Sequence, residues 1–442
     1  MTRNVEGLML KVECKATQIL HHLTFNIKPS TFLVLLLFSC TANRDPKERL
    51  EFWALGREGE VVAEMLADFE RANPDIDVVV QQIPWSAAHE KLLTAYVGES
   101  TPDVAQMGNT WIPEFTAMRA LEELAPTVVD RGDYFPGIWA TNVIGGKLYG
   151  IPWYVDTRVL FYRSDILAAA GFPRAPRTWG EWGQAMETIR ARRLSRYAIL
   201  LPTNEFEQIE VLAFSNGSTL LNRDGTRGAF RQPPFAQAFD FYIEIFRRGW
   251  SPAVSNSEIA NIYQQFAQGD FAMWITGPWN VGECKRRLPA EMQDKWATAP
   301  LPARDASAPT GVSMAGGSSL VVFRGGKHRA AAEKLIRFLS EPAQQVRFFE
   351  LTGDLPARRS AWSAPALVSD PYFPAFREQL ERVQPLPQVP EWEQIATAMF
   401  DRGEAAARGT VAVPAALAQL DAKADALLEK RRWMLDRAVI TR

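Results

Sequence analysis

LEFWALGREGEVVAEMLADFERANPDIDVVVQQIPWSAAHEKLLTAYVGESTPDVAQMGN (Leu50–Asn109) switches its hydrophobic pattern between strand and helix. Leu50–Leu55 is an apolar run of strand length. Gly56–Gly59 reads as a loop. Val61, Val62, Met65, Leu66 and Phe69 then fall on one helical face. Asn73-Pro74 ends that helix, because the residue before a proline is pushed out of the helical region. Ile76–Ile83 is β-branched and reads as a second strand. Ser86–Tyr96 is a second helix, with Ser86 placed to cap it. Pro102–Met107 is a third strand, ending at Gly108-Asn109. Strand, helix, strand, helix, strand predicts parallel strands with crossover helices, hence an α/β fold. Ligands bind such sheets beyond the strand C-termini. Gly56–Glu58, Pro84-Trp85 and Gly108–Trp111 are therefore the places to look.

The alternation continues downstream. Gly145-Gly146-Lys147 reads as a hairpin turn before Leu148–Tyr162, a long apolar and aromatic run. Helices are expected over Thr178–Ala191, over Phe235–Phe246 and over Ile259–Gln268, where Gly269 ends the last. Phe271–Ile275 is a strand leading into Thr276-Gly277-Pro278-Trp279. Leu320–Phe323 is a strand, Ala330–Leu339 a helix, Pro385–Pro390 a loop and Ala415–Trp433 a helical tail. No internal repeat is visible.

At 442 residues the chain is long enough for two lobes. A net charge of −2 gives no electrostatic case for nucleic acid, which is held by neutralising phosphates. His21 and His22 fall in the leader, leaving His89 and His328, a poor supply for Ser-His-Asp chemistry or a histidine-rich zinc site. His89-Glu90 opens an HExxH-like stretch, but Leu93 stands where the second ligand belongs. No metal, no cofactor and no catalytic set is expected. Thr31–Phe38 is too short to span a bilayer but suits a signal peptide. Leu37-Phe38-Ser39-Cys40 behind it is similar to a lipobox, with Phe38 in place of the usual small residue. The reading is a leader over 1–39, a lipidated Cys40 and a polar tether over 40–47. Of the other cysteines, Cys14 leaves with the leader and Cys284 is left without a partner. The mature protein is expected outside the cytoplasm, in the periplasm or on the outer face of the membrane.

Four segments in order carry a family resemblance: Phe69–Val80, Gly146–Ile166, Phe266–Gly282, and Ala315–Gln345 followed by Gly353–Trp362. Together they make the chain, over roughly residues 48–430, resemble the family 1 extracellular solute-binding proteins of ABC sugar importers. The group includes the maltose- and trehalose/maltose-binding proteins. The resemblance implies a type II periplasmic-binding-protein fold, with discontinuous lobes, a hinge and an interlobe cleft. The first lobe would take 48–155 and 300–350, the second 156–299 and 351–442. It implies a monomer that binds a small carbohydrate, trehalose or maltose leading, and hands it to membrane permease subunits without catalysis.

Candidate contacts follow from residue chemistry and from that resemblance. In an extended Pro152–Asp156, Tyr154 and Asp156 share one face, and a carboxylate there can accept sugar hydroxyls. Trp279, held after Gly277-Pro278, offers a flat face for a pyranose. Gly316-Gly317 lets backbone approach a ligand. Ser318-Ser319 follow where the family often has an aromatic residue. Glu58, Trp85, Asn109 and Trp111 sit on the first-lobe cleft edge, and Arg358 matches a family Leu-Pro-x-Arg segment. Asn204-Glu205 is a weaker candidate. A glycoside hydrolase, or a receptor for a non-sugar such as a glycerol phosphoester, are the alternatives.

Overall fold

The computed structural model describes residues 47–205 and 207–440. The expected leader, Cys40 and the tether up to residue 46 lie outside the described residues.

Two sheets organise the chain. In the six-stranded sheet the order is Leu355–Pro356, Gly150–Asp156, Gly316–Val322, then β3 (Val104–Gly108), β1 (Glu48–Leu55) and β2 (Ile76–Ile83). β1 runs parallel to both β2 and β3, as the alternation requires. Gly316–Val322 runs antiparallel to β3 and to Gly150–Asp156, so the sheet is mixed. The smaller sheet has Trp296–Ala299, Val159–Arg163, Phe271–Thr276 and Tyr197–Leu200 in that order. This is a two-lobed α/β architecture.

The apolar run Leu148–Tyr162 is two strands in different sheets, broken at Thr157-Arg158. The chain leaves the first sheet there and comes back through Ser313–Met314, which pairs with Val383–Gln384. The two crossings are tied side by side. Thr157 Oγ1 donates to the Met314 carbonyl at 3.0 Å. Arg158 N donates to Ser313 Oγ at 3.0 Å, and Ser313 Oγ donates to the Arg158 carbonyl at 2.9 Å. Leu355–Pro356 still pairs with Tyr154 and Val155, so the last crossing comes after it rather than near residue 350.

Local readings differ in three places. Gly56–Gly59 is the first turn of helix α1 (Gly56–Ala72) rather than a loop. Gly56 takes a left-handed φ of 49°, which lets the helix start directly off the strand. Ser86 does not cap α2 (Trp85–Val97): Pro84 is the N-cap residue and Trp85 opens the helix. The C-terminal helical stretch is two helices, Val413–Leu427 and Glu429–Ile440. Elsewhere, core packing absorbs most of the tryptophans. Trp153 is fully buried and stacks on Phe348 at 4.3 Å. Trp179 and Trp182 are buried in the second lobe, where Phe235, Phe239 and Tyr242 share its core.

Candidate functional site

β1 and β3 deliver their C-terminal ends to one edge of the first sheet. There Glu58 enters on the first turn of α1, where the helix dipole favours a carboxylate. The side chain is buried, and three donors converge on it. Tyr154 Oη donates at 2.8 Å, Trp85 Nε1 at 3.3 Å and Gln106 Nε2 at 3.4 Å. Gln106 is fully buried and its Oε1 accepts from Leu55 N at 2.7 Å, which locks the network to β1. Burial keeps the Tyr154 hydroxyl pKa well above its ordinary value, so it remains a proton donor. Glu58 thus holds Trp85 and Tyr154 in place and, contrary to expectation, is not itself part of the wall of the cleft cavity.

Asn109 follows β3. Its Oδ1 accepts from Ser319 Oγ at 2.9 Å. Its Nδ2 is buried and has no hydrogen-bond partner among the described residues. Ser318 is buried too and donates to the Met107 carbonyl. The two serines, which take the place of the expected aromatic residue, therefore brace β3 and aim Asn109. Trp111 precedes helix α3 (Ile112–Ala117) and meets Trp85 edge to face at 5.8 Å.

A cavity of about 370 Å³ brings Trp85, Asn109, Trp111, Tyr154, Asp156, Gly316 and Gly317 together. Arg158, Glu207, Met314, Leu386 and Glu393 complete its wall from the crossing segments and the second lobe. Arg158 is nearly buried. Its Nη1 binds both Asp156 oxygens at 2.7 and 2.8 Å, and its Nη2 binds Glu207 Oε1 at 2.9 Å. Asp156 is therefore engaged already, although a carboxylate retains lone pairs for hydroxyls.

Trp279 opens the helix Trp279–Arg287 and is 47% exposed, so it is not a core residue; it is not part of the cavity wall itself and meets that wall through Arg158. The Arg158 guanidinium lies 4.8 Å from its ring centroid. The indole folds back over Gly277, where a Cβ would come within 2.0 Å of the ring. Asp354, turned in by Gly353, is desolvated and faces Glu58; its carboxyl is pushed up to about 7.

Arg358 is placed elsewhere. Its Nε binds Asp133 at 2.7 Å, its guanidinium covers the Tyr134 ring at 5.1 Å, and it does not line this cavity. Asn204 and Glu205 bind the Asn256 backbone and side chain and also stand outside the cavity wall. Sequence reasoning passed over Arg158, Glu207 and Glu393. An arginine inside the apolar run YVDTRVLF was an available signal, since a charge there needs partners. Glu207 and Glu393 carried none, because tertiary folding alone brings them to the cleft.

An indole-rimmed polar cleft beside two α/β sheets joined by crossing strands defines a two-lobed solute receptor of the type II kind. The chain belongs to the bacterial extracellular solute-binding protein family, whose family model matches residues 53–346. It is similar to the sugar-binding protein MalE of Xanthomonas citri, with 47% identity and a TM-score of 0.85 over 88% of this chain and 99% of that one. A putative binding protein of Brucella abortus is 27% identical over 85% of this chain and 91% of its own length. The diacetylchitobiose binding protein DasA of Streptomyces coelicolor is 26% identical over 75% of this chain and 78% of its own. Among the described residues, no helix is long and apolar enough to cross a membrane.

Proposed function

We propose that this chain is the substrate-binding component of a carbohydrate ABC importer, which takes a small oligosaccharide into the cleft and delivers it to the permease. A disaccharide such as trehalose or maltose is the proposed ligand. The observation that carries the reading is the buried Asn109 amide, free to donate, in a cavity shared with the partly exposed Trp85 and Trp111 indoles and engaged carboxylates. Indole faces suit the C–H faces of pyranoses, and the donors and acceptors around them suit hydroxyls. Trp85 and Trp111 would serve one sugar ring and Trp279 the other, with Tyr154, Asp156 and the Gly316-Gly317 backbone between them.

Charge argues against the phosphoester alternative. Three carboxylates, Asp156, Glu207 and Glu393, line the cavity against one guanidinium, Arg158. Two of the three already neutralise that guanidinium. A phosphate would enter a negative site. Thermal-shift screening against a panel of mono- and disaccharides tests the proposal. A cognate sugar at 100 times its Kd should stabilise the protein by about 2.7 kcal/mol. A panel in which no sugar raises the Tm, while glycerol phosphoesters do, overturns it. Release of monosaccharide from a disaccharide on incubation would instead mark a hydrolase.

Anchoring is proposed through a diacylated Cys40. Mass spectrometry of the native protein should find the chain starting at that residue with two acyl chains; an intact leader or an unmodified thiol refutes this.

A further inference from the structure

The first-lobe wall of the cleft is built from indoles on two different helices. Trp85 opens α2 and Trp111 precedes α3. At their far ends the helices are tied by Tyr96 Oη, which donates to the Met118 carbonyl at 2.6 Å. At the cleft end the tie is His89, one turn along α2 from Trp85. Its Nε2 lies 2.7 Å from Glu114 Oε2 on α3, a length typical of a charge-assisted bond. The imidazole also packs on Trp111 at 5.1 Å and on Phe115 at 6.1 Å. This is the histidine of the HExxH-like stretch, in which Leu93 stands at the second ligand position.

We propose that His89 is a positioning residue: its bond to Glu114 clamps α2 to α3 and holds Trp111 against Trp85 at the angle the ligand ring meets. The inference rests on reading the cleft as a sugar site. Acidic groups face the imidazole from each element around it: Glu114 from α3, Glu393 from the helix Trp392–Ala407 of the second lobe, and Glu90 from α2 itself. The hydrogen bond to Glu114 is the main cause that raises the His89 pKa above its ordinary value, against desolvation. The clamp is therefore strongest while the ring is charged, below that raised pKa. It weakens as pH climbs through it, where a neutral ring keeps a weaker hydrogen bond.

The test is calorimetric titration of the full mature protein with maltose and with trehalose between pH 5.5 and 8.5. Wild type should lose about fivefold in affinity across this range, the difference between a charge-assisted and a neutral hydrogen bond. His89→Ala should bind about tenfold more weakly at pH 5.5, through loss of both the bond and the ring contact, and show no such slope. His89→Gln keeps a donor for Glu114 without the charge; it should recover part of the affinity and still lack the slope. Asp354 titrates in the same window, so Asp354→Asn is the control and should retain the His89-dependent slope. A His89→Gln protein with the wild-type slope, or a His89→Ala protein with wild-type affinity at pH 5.5, overturns the clamp and leaves the sugar reading standing. If neither disaccharide binds, the titration uses the panel sugar that raises the Tm most; a wild type that binds no sugar of the panel at any pH removes both.

Discussion

Trp279→Ala should weaken sugar binding by about 30- to 1000-fold, a loss of roughly 2–4 kcal/mol, with a much smaller change in stability. The indole is about half exposed, so little core packing depends on it. It is nonetheless fixed: the ring packs against Gly277, where a side chain would collide with it, and the Arg158 guanidinium lies 4.8 Å from its centroid. A flat face held at a set angle contributes binding energy without an ordering cost on ligand entry. Trp279→Phe should recover part of the loss, because a smaller ring still offers a face. Affinity and Tm measured on the same variants decide the matter. A variant that melts far below wild type yet binds sugar normally would make Trp279 a packing residue.

Gly317→Ala should be the most destabilising small substitution near the cleft. Gly317 holds φ at 115°, and a Cβ there would sit 2.4 Å from the Tyr154 carbonyl oxygen. The methyl group meets backbone on the paired strand, which cannot swing aside as a side chain would. Backbone strain of about 1–3 kcal/mol adds to overpacking of about 1–3 kcal/mol. The strand Gly316–Val322 also positions Asn109, whose backbone N–H donates to the Gly317 carbonyl. Gly317→Ala should therefore shift the denaturation midpoint strongly and lower affinity with it. Gly316→Ala is the comparison: its contact is 3.1 Å at an ordinary φ, so its penalty should be smaller. Equal midpoints for Gly317→Ala and wild type would show that the strand Gly316–Val322 can relax around a side chain.

How much of this was legible depends on the range of the forces involved. β1, α1, β2, α2 and β3 are written in local periodicity, and local periodicity is what a sequence displays. The alternation over Pro152–Asp156 puts Tyr154 and Asp156 on one face, and in the folded chain both line the cavity, while Trp153 between them packs on Phe348. Gly56–Gly59 misled because two glycines in four residues suggest a loop, whereas tight entry from β1 needs the first of them to start a helix. Arg358 was placed in the cleft by family pattern alone. Here Asp133 and the Tyr134 ring hold it, and no local signal announces a partner more than 200 positions away. Glu207 and Glu393 are illegible for the same reason. What distinguishes them from other surface glutamates is the cavity they face, and only the folded chain creates it.

The paired ties between Thr157-Arg158 and Ser313–Met314 have a mechanical consequence. Two ribbons stitched edge to edge make a strap that flexes easily across its thickness but resists sliding and splaying. The expected soft coordinate of the halves it joins, with the later crossing lying alongside through Val383–Gln384, is a rotation about one axis. Reporter pairs fixed at different sites on those halves should then change signal in step, with one shared midpoint on titration. That makes the scaffold suited to a ratiometric sensor whose dye positions can be chosen for brightness rather than for proximity to the ligand.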